Sequence, residues 1–298
     1  MANLETIGFI GLGTMGQAMA GNLLKAGFAV QGYDLSAAAV EAFRQAGGRA
    51  AASPREVAEG ADLVIAMLPN APDVQAVMTG VAGILAAEVS GRLLMNMSTV
   101  DPAAAQHLAA LAAEAGWRYL DAPVGRTAAH AAVGESLFML GGEAEDKAAV
   151  RPALEAMGNA IVDCGAVGQA STIKIANNYL SIVAAVTTSE ALRLAEAGGV
   201  EPEALLRVVN GTTAMNGHTK SYFPSKVLAG DVSAGFSVDN AHKDLAIAVA
   251  AMAREGIPCF TGPGSLEAYE TARQQGRGAN DWSDLFNLVG ELWRKESG

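Results

Sequence analysis

Three glycines spaced G-x-G-x-x-G, Gly11, Gly13 and Gly16, follow the apolar run Thr6–Ile10 and open the amphipathic stretch Thr14–Ala26. An apolar strand, a glycine turn and a helix in direct succession describe one parallel strand-to-helix unit. The amides of such a turn face outward at a helix N-terminus, where they can hold a pyrophosphate. The unit also requires an acid at the end of its second strand. Ala29–Asp34 reads as that strand, and Asp34 follows Gly16 at close to the ~20 positions expected. A carboxylate there accepts hydrogen bonds from both ribose hydroxyls and repels a 2′-phosphate, so NAD(H) is favoured over NADP(H).

Further short apolar runs, Asp62–Leu68, Arg92–Ser98, Tyr119–Val124 and Leu137–Gly142, continue the pattern, with a helix over roughly Ser36–Ala46. Strands apolar on both faces and separated by helices indicate a mostly parallel sheet covered on both sides. After Cys164 and Gly165 the pattern changes. Between Gly168 and Glu196 neither proline nor glycine interrupts the chain, which predicts a helix of roughly 45 Å at 1.5 Å per residue. Pro202–Val209, Asp239–Arg254, Ser265–Gln274 and Asp281–Arg294 also read as helices. The expected architecture is an α/β, Rossmann-type, doubly wound half (1–165) followed by an all-helical half (166–298) that begins with a long interdomain helix.

A hydrophobic content of 51% guarantees a sizeable core, and a net charge of -11 without a basic patch excludes nucleic acid as a partner. In so acidic a chain an anionic substrate needs positive charge built locally, so each pocket cation is informative. Cys164 and Cys259 are far apart, and His107, His130, His218 and His242 are scattered; no metal site is expected. His218, in NGTTAMNGHTKS, could reach the substrate, but a loop histidine is more often solvated and it is read so; Trp117, Trp282 and Trp293 are read as packing residues. The opening residues lack a basic segment followed by a cleavable apolar run. The apolar stretch Ile173–Val186 carries Lys174, Asn177 and Asn178, which argues against a membrane span. A cytoplasmic protein is expected.

Lys174, Asn177, Asn178 and Ser181 stand at i, i+3, i+4 and i+7, hence on one face of the long helix. Such a stripe faces water or a polar cleft, and its place just after the domain boundary favours a cleft. Hydride delivery to an aldehyde leaves an alkoxide that needs a proton. A lysine supplies it, and an asparagine holds the lysine or the substrate hydroxyl without changing the charge. Arg126 is the one charged residue between Asp121 and Glu135 in DAPVGRTAAHAAVG. It stands where the chain should turn, and a guanidinium there is a fork of donors suited to oxyanions.

GFIGLGTMGQAMAGNLLKAG, MSTVDP, DAPVGRT, KIANNYLS and HKDLAIA, in this order over nearly the whole chain, resemble the β-hydroxyacid dehydrogenase family. That family includes 3-hydroxyisobutyrate and tartronate semialdehyde dehydrogenases. The resemblance implies that Lys174 is the general acid/base and that Asn178 organises it. It also implies that Thr14, Met15, Asp34, Leu68, Pro69, Thr99 and Lys243 line the NAD site together with the three glycines. It implies a homodimer or homotetramer packed through the helical half. Most members read D-x-P-V-S-G-G at the turn, and this chain departs from them with Gly125, Arg126 and Thr127. A three-oxygen anion such as a sulfonate matches more guanidinium donors than a carboxylate does. NNYLSI, GHTKSYFPSKVLAGD and GRGANDWS add a likeness to a subgroup that reduces a sulfonated aldehyde. Arg126, Thr127, Asn177, Asn178, Ser181 and Thr99 are then expected around the substrate. The alternatives are a carboxylate analogue as substrate, imine reduction on the same scaffold, and a dinucleotide sensor without catalysis.

Overall fold

The computed structural model describes residues 4–89 and 91–296; residues 1–3, on which the expectation of no leader peptide partly rests, lie outside them. The first half alternates β1 (Thr6–Ile10), α1 (Thr14–Lys25), β2 (Ala29–Tyr33), α2 (Ala37–Gln45), β3 (Arg49–Ala50), α3 (Pro54–Glu59), β4 (Leu63–Ala66), α4 (Ala71–Thr79), β5 (Leu93–Asn96), α5 (Pro102–Glu114) and β6 (Arg118–Asp121). After these come β7 (Val124–Gly125), α6 (Ala128–Ala132), β8 (Ser136–Gly141), α7 (Ala144–Met157) and β9 (Gly158–Gly165).

The strands form one sheet in the order β3-β2-β1-β4-β5-β6-β8-β7, with β9 on β8. Pairings from β3 to β6 are parallel; β8 runs antiparallel to β6 and β7 and parallel to β9. The alternation of side chains explains why these runs are apolar throughout. Phe9, Leu63, Ile65, Leu93 and Met95 join the core under α1 and α7. Ile10, Val64 and Leu94 join the core on the opposite face, with Val57, Val74 and Leu108 of the other helices. Chain direction along the sheet reverses between β1 and β4, the switch point at which open α/β sheets bind ligands.

Two expectations are refined here. The run Tyr119–Val124 is not one strand: β6 ends at Asp121 and β7 starts at Val124, because Pro123 has no N–H to give a ladder. The eight-residue β9 went unread because its half-exposed side chains lack the apolar run of a central strand.

α8 (Gln169–Ala197) is one continuous helix of 29 residues. Contacts divide the chain into two compact units, Met1–Lys174 and Ile175–Gly298, so the division falls inside α8 and not at Gly165. The physical reason is that the start of α8 is tied to the sheet unit: Gly168 N–H donates to Asp121 Oδ1 and Oδ2 at 3.2 and 3.1 Å. The second unit continues through α9 (Pro202–Val209), a π-turn at His218–Tyr222, α10 (Phe223–Ser225), α11 (Val238–Arg254), α12 (Gly262–Gln274) and α13 (Leu285–Glu296). Its core gathers Ile182, Phe223, Leu245, Tyr269, Leu285 and Leu288. No described helix is long and apolar enough to cross a membrane.

Candidate active site

The strand register sets the stage. Ile10 pairs with Tyr33 and Ala66, Ala66 with Asn96, and Asn96 with Asp121. The loops that follow β1, β2, β4, β5 and β6 therefore leave the sheet at one level. Each glycine of the first loop does a different job. Gly11 has φ +96°, and a Cβ on it would lie 2.2 Å from the carbonyl oxygen of Met67. A Cβ on Gly16 would lie 1.9 Å from the oxygen of Gly11, so only glycine lets α1 pack so close to β1. A Cβ on Gly13 would meet nothing within 4 Å, which leaves the turn open to an approaching ligand. α1 starts on Gly13 without a side-chain cap, whereas Ser36, Ser53, Asn70 and Asp101 cap the helices that follow. The first-turn amides around Thr14, Met15 and Gly16 are thus offered to an anion. The arrangement fits the pyrophosphate of a nicotinamide dinucleotide.

Asp34 directly follows β2, with its carboxylate turned back on the loop. Oδ2 accepts from the Leu12 amide at 2.6 Å and Oδ1 from the Ser36 amide at 2.7 Å. Leu68 donates its amide to Ser98 Oγ at 2.8 Å, and the Ser98 amide donates to Asn96 Oδ1 at 3.0 Å. The loops that carry Leu68, Pro69 and Thr99 are thereby fastened together beside the glycine turn.

Lys174 is half-buried, and its Nζ donates to the carbonyl of Val124 at 2.7 Å. Asn178 is buried; its Nδ2 donates to Asp244 Oδ2 at 2.7 Å, and its Oδ1 accepts from Asn177 Nδ2 at 3.1 Å. Lys243 Nζ lies 3.0 Å from the other oxygen of Asp244. Asp244 therefore joins a lysine expected at the cofactor to an asparagine expected at the substrate, and sequence reasoning passed it over. The signal was present: it interrupts the buried stripe Val238, Ala241, Leu245, Ala248 of α11 with a charge. Ser181 is half-buried.

His218 corrects an expectation. It is not a solvated loop residue but 3% exposed. Its Nε2 lies 2.8 Å from the Ser181 carbonyl oxygen, an acceptor, so Nε2 carries the proton. The rings of Tyr222, Phe223 and Trp282 meet it edge-on. Burial pushes its pKa below the usual imidazole range. The π-turn at His218–Tyr222 brings the ring inward.

Among the described residues Arg126 is the one non-glycine with positive φ, at +70°. It is exposed. Its Nη1 donates to the Glu135 carbonyl at 2.5 Å and to Asn159 Oδ1 at 2.6 Å. Beside it Thr127 Oγ1 lies 2.9 Å from His130 Nδ1. The segment Val124–Arg126 thus carries both the acceptor of the lysine ammonium and the guanidinium. Among the described residues no group of histidine, cysteine and acid side chains could hold a metal ion.

Residues 6–168 match the family model for the NAD-binding domain of 6-phosphogluconate dehydrogenase. Residues 168–289 match that for the NAD-binding module of NADP-dependent 3-hydroxyisobutyrate dehydrogenase. The chain is 38% identical to 3-sulfolactaldehyde reductase of Escherichia coli, over 96% of each sequence. It is 36% identical to the NAD-dependent L-serine dehydrogenase of Pseudomonas aeruginosa, over 96% of this chain and 98% of that protein. The solved structure of 3-hydroxyisobutyrate dehydrogenase from Mycobacterium tuberculosis with L-serine superposes with a TM-score of 0.89 at 32% identity, over 96% of this chain and 99% of the other. Nucleotide turn, lysine-bearing helix and whole-length likeness agree: the chain belongs to the β-hydroxyacid dehydrogenase family, nicotinamide-dependent oxidoreductases that act on CH–OH groups.

Proposed function

We propose that the chain reduces 3-sulfolactaldehyde to 2,3-dihydroxypropane-1-sulfonate with NADH. The observation that carries the sulfonate is Arg126. A left-handed backbone costs a residue with a side chain on the order of 1–2 kcal/mol, and glycine would relieve that strain. Keeping arginine in this position at φ +70° implies that its side chain is used. Glu135 and Asn159 hold Nη1, and among the described residues the Nε and Nη2 edge is not engaged. That edge is the planar fork that grips two oxygens of an oxyanion side-on. The 38% identity to a 3-sulfolactaldehyde reductase supports the same substrate.

NADH, when bound, supplies the hydride. As the new C–H bond forms, the carbonyl's π pair moves to oxygen, and the Lys174 ammonium delivers the proton that makes it a hydroxyl. Asn178, its amide oriented by Asp244, and Asn177 hold the hydroxyls; Thr127, Ser181 and Thr99 complete the substrate's hydrogen bonds. NADH is preferred over NADPH because the Asp34 carboxylate, held at the end of β2, would meet a 2′-phosphate with like charge.

A second reading keeps the chemistry and changes the anion to a carboxylate, as in tartronate semialdehyde, succinic semialdehyde or 3-hydroxyisobutyrate. The 36% identity to an L-serine dehydrogenase favours it. Comparing kcat/KM for 3-sulfolactaldehyde with those of the carboxylates decides between them. For the assembly we propose a homodimer or homotetramer. Ile173, Leu180 and Leu194, one line of α8, are 44%, 72% and 77% exposed, and a second copy would cover them. Leu180→Asp is expected to yield a smaller species by light scattering. A reducing, cytoplasmic setting accords with two free cysteines, Cys164 and Cys259.

A further inference from the structure

Asp121 has no exposed surface. It ends β6, and its carboxylate faces the beginning of α8. Oδ2 accepts from Ser171 N at 2.9 Å, from Ser171 Oγ at 2.9 Å and from Gly168 N at 3.1 Å. The leading amides of a helix have no acceptor within it, and an anion among them gains charge-assisted bonds and the field of the helix dipole. The fit leaves no slack on the sheet side, because a Cβ on Gly141 would come within 2.4 Å of Asp121 Oδ1. From Asp121 the chain passes through buried Ala122 and Pro123 to Val124, the residue whose carbonyl receives the Lys174 ammonium at 2.7 Å. One short, proline-stiffened segment therefore grips α8 twice, by its first turn and by its lysine.

We propose that Asp121 is a positioning residue of the reaction: by fixing the rotation and axial level of the first turn of α8, it sets where the Lys174 ammonium meets the substrate oxygen. The inference rests on the reading of Lys174 as proton donor. A carboxylate suits the task and its amide does not. An asparagine side chain in its place would offer one acceptor oxygen where Asp121 has two, and would turn an N–H toward helix donors. Ser171 is the partner through which the grip can be loosened gently, since alanine removes only the hydroxyl contact.

The test measures kcat, its pH profile and NADH affinity for Asp121→Asn, Ser171→Ala and Lys174→Ala beside the wild type, with thermal midpoints recorded. Asp121→Asn is expected to lose roughly 10- to 100-fold in kcat, the scale of a displacement near 1 Å. Its NADH affinity stays unchanged, and the proton-donor limb of the pH profile moves. Ser171→Ala moves the same limb less and carries the test alone if Asp121→Asn does not fold. A lower midpoint with kcat and the pH limb in place would overturn the inference and leave Lys174 as donor. Near-normal turnover of Lys174→Ala would overturn the donor assignment itself, and the inference with it.

Discussion

The Lys174 ammonium donates to the Val124 carbonyl at 2.7 Å, and Arg126 follows on the same segment with φ +70°. The proposed proton donor and anion grip thus meet on one short segment, β7 and the residue that follows it.

Removing the proposed donor is expected to leave the glycine turn and Asp34 in place, because they form their contacts without Lys174. Lys174→Ala is expected to lower kcat by about 10²- to 10⁴-fold, the range for a general acid. NADH affinity, read by fluorescence titration, stays within about twofold.

Backbone strain at Arg126 gives a prediction that activity does not enter. Arg126→Ala and Arg126→Gly lose the same guanidinium and the same bonds to Glu135 and Asn159. They differ in the cost of φ +70°. The left-handed region costs a Cβ roughly 1–2 kcal/mol, and glycine's looser unfolded chain returns about 0.5–1 of that. The glycine variant is expected to be the more stable of the two in denaturant unfolding, by up to about 1.5 kcal/mol.

How much of this was legible beforehand depended on the range of the interaction. The glycine turn, Asp34 and α8 were readable because their signals are local: spacing, strand ends and a run without breakers. Asp121 and Asp244 act on partners 47 and 66 positions away, Gly168 and Asn178. No pattern of neighbours announces such a contact, although a charge in the buried stripe of α11 hinted at Asp244. β9 escaped because edge position and half-exposure remove the apolar alternation, and His218 because a π-turn has no sequence period of its own.

His218 makes the second unit sensitive to acid. Burial holds its folded pKa below the unfolded value of about 6.5. The unfolded chain therefore takes up the proton first, and stability present above about pH 6.5 is lost as the pH falls through and below it. Unfolding free energies at pH 8 and pH 5.5 should differ more for the wild type than for His218→Gln. Equal differences would remove His218 from the pH response.

Asp34→Ser takes away the charge proposed to oppose a 2′-phosphate, while Ser36 still caps α2. The ratio of kcat/KM for NADH to that for NADPH is expected to fall at least about tenfold. A constant ratio would mean that discrimination lies elsewhere in the loop after β2.

The most direct measurement is kcat/KM, with NADH, for 3-sulfolactaldehyde and for tartronate semialdehyde, in the wild type and in Arg126→Ala. The wild type is expected to favour the sulfonate. The variant should lose roughly 30- to 1000-fold on it, about 2–4 kcal/mol, and far less on the carboxylate. A wild type that favours the carboxylate, or a sulfonate reaction indifferent to the loss of Arg126, would rule out Arg126 as the sulfonate's grip.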